Sequence, residues 1–143
     1  MAIAVQVAFD CAQPSRLAEF WQVALDYRLD PPPPGFDSWD AAKEAWGLPP
    51  EWDEVSAISD PDNIGARLFF QKVPEGKTVK NRVHLDVMVG RGTKDPDERW
   101  AAVLTHVDTL VAAGATTIEE RRNEFGDHWM LMTDPEGNEF CVE

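Results

Sequence analysis

A chain of 143 residues is long enough for one domain with its own buried core. Its 26 acidic residues against 13 lysines and arginines give a formal charge of −13, which repels phosphate backbones and anionic lipid surfaces, so neither nucleic acid nor a membrane is expected as partner. No apolar run approaches the roughly 18 residues of a membrane span and no basic signal segment opens the sequence, which leads to the expectation of a cytoplasmic protein.

Residues 3–11 alternate, with Val5, Val7, Phe9 and Cys11 on one face and Gln6, Ala8 and Asp10 on the other, the period of a half-buried strand. Pro14 then opens a stretch in which Leu17, Phe20, Trp21, Ala24 and Leu25 recur at helical spacing, proline being tolerated in a first turn. A second strand begins near residues 27–30 and is stopped by the prolines at 31–34, which cannot donate to a ladder. Residues 31–54 hold six of the 11 prolines and three of the six tryptophans. Within them Ser38 caps a short helix carrying Trp39 and Trp46, ended by Gly47 and Pro49. This insertion reads either as a tryptophan-bearing flap over a groove or as a cover for an apolar sheet edge. Strands follow at residues 55–59 and 66–73, parted by the turn Asp60-Pro61-Asp62-Asn63-Ile64-Gly65.

A linker over residues 74–81 leads to a second pass of the same pattern. Residues 82–89 alternate, with Val83, Leu85, Val87 and Val89 inward and Arg82, His84, Asp86 and Met88 on the opposite face. A helix over residues 97–113 carries Trp100, Val103, Leu104, Val107 and Leu110 and ends at Gly114, with His106 on its surface. Strands are expected at residues 116–121, 129–133 and 139–142. Asp134-Pro135-Glu136-Gly137-Asn138 joins the last two: proline fixes φ, while glycine and asparagine tolerate positive φ, so the chain closes in a β-hairpin. Val7-Ala8-Phe9-Asp10 and Val83-His84-Leu85-Asp86 echo one another, and each opens a β-α-β-β-β unit. Cys11 and Cys141 lie in apolar, strand-like surroundings without a Cys-x-x-Cys pair and read as reduced, buried thiols.

The Asp134-Pro135-Glu136-Gly137-Asn138 turn before a final strand resembles the signature hairpin of glyoxalase-like domains in the vicinal oxygen chelate superfamily. Three further segments fit that family in the same order. They are Val7 through Pro14 running into Phe20-Trp21, then Arg67-Leu68-Phe69-Phe70-Gln71-Lys72-Val73-Pro74, then Asn81-Arg82-Val83-His84-Leu85-Asp86-Val87. The resemblance implies an α+β fold, with two β-α-β-β-β modules forming one cupped mixed sheet, helices on the convex face and a small-molecule cleft on the concave face. It implies a single domain over residues 1–143, with module one at about 1–74, the insertion at about 31–54 and module two at about 82–143. A small organic ligand and a homodimer are the partners it implies.

In metal-using relatives the first and last strands of both modules give histidines and glutamates to one divalent ion. The resemblance carries those places onto Gln6, Gln71, His84 and Cys141, or onto Ala8 instead of Gln6 in another register. Two amides, an imidazole and a thiol lack the carboxylates that hard divalent ions require, so no metal and no cofactor is expected. A soft ion such as zinc on Cys141, His84 and Asp86 is the alternative. Without a metal, His84 and Asp86 stand two residues apart on one strand face, where a carboxylate tunes an imidazole for general acid and base work. The plainer role is hydrogen bonding across the cleft to Gln6, Gln71 or Arg82.

The ligand-binding set expected is Gln6, Asp10, Gln71, Arg82, His84, Trp46, His128 and Cys141, with His84 and Asp86 as the catalytic pair. Lys77, Lys80, Asn81 and Arg82 either meet an anionic ligand group or pair with the chain's many carboxylates. No phosphate-cradling glycine loop, dinucleotide fingerprint or nucleophile with its base is present. The function expected is metal-free binding of a small molecule; the alternative is a lyase, isomerase or dioxygenase-type enzyme of the same fold using His84 and Asp86.

Overall fold

In the computed structural model, which describes residues 1–143, the apolar periodicities resolve into eight strands and three helices. The first half runs β1 (Gln6–Cys11), α1 (Pro14–Leu25), β2 (Arg28–Leu29), α2 (Trp39–Ala45), β3 (Val55–Ser59) and β4 (Arg67–Lys72). The second runs β5 (Asp86–Val87), α3 (Pro96–Ala112), β6 (Thr116–Arg122), β7 (His128–Thr133) and β8 (Glu139–Val142). Two four-stranded sheets result, ordered β1-β4-β3-β2 and β5-β8-β7-β6. In each, the first strand pairs in parallel with the last and the other pairs are antiparallel, so the β-α-β-β-β pattern occurs twice in an α+β fold. The chain divides into two compact units, residues 1–22 with 26–74 and residues 23–25 with 75–143.

In the first unit, Phe9 of β1 lies 5.4 Å from the Trp21 ring of α1 and 5.1 Å from Phe70 of β4. Leu17, Phe20, Trp21, Ile58, Leu68 and Phe70 are buried with them, each contributing roughly 1.5–3 kcal/mol of apolar burial. The strand expected from residue 3 starts at Gln6, and Ile3 and Val5 are 92% and 70% exposed. The ladder sets that limit: Gln6 is opposite Arg67, where β4 begins, so residues before it have no partner. Ser38 caps α2 as its sequence indicates, its hydroxyl accepting the Ala41 N–H at 3.1 Å.

In the second unit, α3 packs on β6, β7 and β8 and buries Val103, Val107 and Leu110. One residue of this helix leaves its apolar stripe, and the expectation for His106 needs correction. Leu104 is 41% exposed, because it follows Val103 by one residue and so points about 100° away from the buried stripe. His106 is half-buried, its Nε2 donating to the Ala24 carbonyl at 2.9 Å. The closing hairpin forms as read: Gly137 adopts φ +85° and the buried Asp134 carboxylate accepts the Glu136 and Asn138 amides at 2.9 and 3.0 Å.

The strand expected over residues 82–89 shrinks to Asp86–Val87, and Val83, expected inward, is 80% exposed. The Glu139 side chain supplies the reason. It accepts the Asn81 N–H at 2.9 Å and pairs with Lys77 at 3.1 Å, so the approach to β5 is tied to a side chain instead of a ladder. The Asn81 amide, followed by the Glu139 amide and then Lys77, holds the Glu139 carboxyl down to about 2. A depressed carboxyl adds stability above its unfolded value of about 4.5 and loses it as pH falls towards 2. Glu139→Gln should therefore be less stable than the parent near neutral pH, with the gap closing between about pH 4.5 and 2 in urea titrations. A gap that persists unchanged at low pH would assign its cause to packing.

Candidate functional site

Period-two alternation splits the second sheet into two faces. Val87, Met130, Met132, Phe140 and Val142 are buried on the α3 side. Cys141 is opposite Asp86 in the parallel β5–β8 ladder, which puts both on the other face, and His84 precedes Asp86 by two residues. The His84 Nδ1 lies 3.3 Å from Asp86 Oδ1, the two side chains being 39% and 49% exposed. Donor atoms of His84, Asp86 and Cys141 all fall within 4.8 Å of one another. Burial, then the Asp86 carboxylate, push the Cys141 thiol up to about 11, so it keeps its proton at neutral pH. The three side chains thus form an acid–base pair resting on a neutral thiol, able to grip or protonate one polar group.

In the first unit, the same alternation places Gln6, Ala8 and Asp10 opposite the Trp21 side, level with Arg67, Phe69 and Gln71 of β4. Arg67 donates to Gln6 Oε1 and, through Nε, to Asp30 Oδ2 at 2.7 Å; Ser59 donates to the other Asp30 oxygen at 2.6 Å. Gln71 donates to Asp10 Oδ1 at 2.7 Å. Gln6 and Gln71 are therefore both engaged within their own sheet. Arg67 and Asp30 are the polar pair that sequence reasoning passed over. Arg67 was findable, two residues before Phe69 on the same strand face, whereas Asp30 sits after β2 with no periodic signal.

Other expected residues stand elsewhere. Trp46, half exposed and 5.7 Å from the Phe36 ring, lines a cavity of the first unit. His128, expected with the helix-free face, lies on the α3 side: it shares parity with the buried Met130 and Met132, stacks on Trp100 at 3.3 Å and meets Glu120 at 2.7 Å. Arg82 is exposed ahead of β5. Lys77 and Asn81 bind Glu139, which favours carboxylate pairing over an anion site there. If the Cys141 thiol is held as described, it should alkylate slowly in native protein at about pH 8, and Asp86→Asn should speed the reaction by removing a charge that opposes the thiolate. Peptide mapping by mass spectrometry separates it from Cys11; equal rates in parent and variant would mean that Asp86 does not act on it.

The fold agrees with known proteins. Residues 6–143 match the family model described as glyoxalase-like domain. No curated protein sequence matches. A glyoxalase/bleomycin resistance protein/dioxygenase family enzyme from Burkholderia phytofirmans PsJN is similar in structure, with TM-score 0.61, 15% identity and coverage of 96% of this chain and 94% of that one. The fosfomycin resistance protein FosX from Mesorhizobium loti gives TM-score 0.63 at 9% identity, covering 100% and 91% of the two chains. TioX from Micromonospora sp. ML1 gives 0.56 at 14%, covering 99% and 97%. Because the family match runs from the first residue of β1 to residue 143 and so takes in both β-α-β-β-β units, the chain belongs to the glyoxalase-like domain family.

Proposed function

We propose that this chain is a small-molecule-binding domain in which His84 and Asp86, with Cys141 beneath them, hold a polar group of an organic ligand without a metal. The convergence of these three side chains on the helix-free face of the β5–β8 pair carries the reading. It is supported by two structural relatives, a fosfomycin resistance protein and a glyoxalase/bleomycin resistance protein/dioxygenase family enzyme, whose names refer to small organic compounds. A homodimer in the cytoplasm belongs to the same proposal.

The donor chemistry argues against a hard divalent ion. Magnesium, manganese or iron calls for several carboxylate or imidazole donors, and the second unit offers one of each beside a thiol that keeps its proton to about pH 11. In the first unit, Gln6 and Gln71 are neutral amides already bonded to Arg67 and Asp10. A soft ion is different. The 4.8 Å spread of an imidazole, a carboxylate and a thiol favours one second reading, zinc bound by His84, Asp86 and Cys141 in a lyase- or isomerase-type enzyme.

Elemental mass spectrometry of protein purified without a histidine tag separates the two. Substoichiometric metal, unchanged in His84→Ala and Cys141→Ala, is expected; near-stoichiometric zinc lost in both variants would replace the first reading with the second. Because its side chain is 39% exposed, His84→Ala should fold normally and weaken a ligand found by tryptophan-fluorescence screening by about 1–2 kcal/mol. Severe destabilisation would instead make His84 a structural residue.

A further inference from the structure

We infer a second binding site, lined by residues other than those proposed above: the cavity under the tryptophan-bearing insertion takes a flat, uncharged aromatic molecule carrying one hydrogen-bond acceptor. Its lining comes entirely from the first unit and includes none of His84, Asp86 and Cys141. The site begins with a short strand. β2 pairs only Arg28 and Leu29 with β3, and the Asp30 amide adds one bond to the Ala57 carbonyl at 2.9 Å, so the edge of β3 at Val55 and Ser56 has no strand beside it. The insertion covers that edge and is anchored on both sides of its helix. Trp39 Nε1 donates to the Asp30 carbonyl at 2.8 Å, while Asp53 accepts the Ser15 amide and hydroxyl at 2.9 and 2.7 Å. Ala42 of α2 is completely buried.

A segment serving only as a cover would close on the sheet, since protein interiors pack with few voids larger than a water molecule. Here the anchored roof stands off and leaves about 530 Å³, within the range of small-molecule sites. Trp39, Trp46, Trp52, Phe69, Val55 and Ala57 present rings and apolar area to it, which suits a flat ring system. Charge selects against ions. Arg67 and Lys43 on the wall oppose a cation, while Asp30, Glu19 and a chain charge of −13 oppose an anion. Arg67 also supplies the polar contact. Asp30 and Gln6 hold its guanidinium in place, 5.6 Å from the Phe69 centroid, and two of its five N–H groups account for those bonds. The remaining donors meet a carbonyl without reorganising.

Flavone, a neutral planar aromatic ketone, is the probe, titrated calorimetrically into the whole chain. Saturable one-site binding is expected, weakened about tenfold or more by Trp46→Ala, which removes the half-exposed lip, and by Ala57→Phe, which fills the floor. His84→Ala should leave flavone affinity within about twofold. Absence of saturable binding, or affinity indifferent to Trp46→Ala and Ala57→Phe, overturns the site. Loss in His84→Ala alone overturns it too, by assigning flavone to the His84, Asp86 and Cys141 side chains. Circular dichroism melts check each fold, and if Ala57→Phe does not fold, Trp46→Ala decides, since its side chain is half exposed.

Discussion

Parallel pairing of the first strand with the last in each unit is the constraint from which the rest follows. A parallel ladder fixes which residues stand side by side and, through the pleat, which face each side chain occupies. In the first unit it sets Gln6 beside Arg67 and Asp10 beside Gln71, and in the second it sets Asp86 beside Cys141. A slip of β1 by one residue would send Phe9 out of the core and bury Asp10 unpaired, which costs several kcal/mol. Core and site are thus two faces of one register.

Where the ladder stops, side chains take over. β5 is two residues long, and Glu139 reaches back from β8 to hold the Asn81 amide and Lys77 ammonium. Asp60 similarly closes the turn between β3 and β4 by accepting the amides of Asp62, Ile64 and Gly65, which lowers its pKa. Asp134 does so in the final hairpin. Several of the carboxylates that make this chain acidic are therefore caps for backbone N–H groups, which explains part of its composition without invoking a charged partner.

The insertion shows how an edge can come to border a cavity. An uncovered strand edge invites pairing with another chain, and a proline-rich segment answers that hazard because it cannot itself extend the sheet. Fastening the segment through Trp39, Ala42 and Asp53 covers the edge and leaves room behind the cover. Of the two readings open at the outset, flap and cover, the structure contains both in one element.

The sequence by itself determined the element order, the two β-α-β-β-β units, the Ser38 cap, the closing turn and the facing of His84 with Asp86, because period, caps and turn residues act over a few neighbours. It also led to the glyoxalase-like family, on motifs spread along the chain. Only the tertiary structure decided how long β1 and β5 are, that His128 lies under Trp100, that Arg67 clamps both Asp30 and Gln6, and that Cys141 sits against Asp86 with a raised pKa. Each of these depends on a partner some 28 to 61 positions away, brought near by ladders and packing, and no local pattern records that distance.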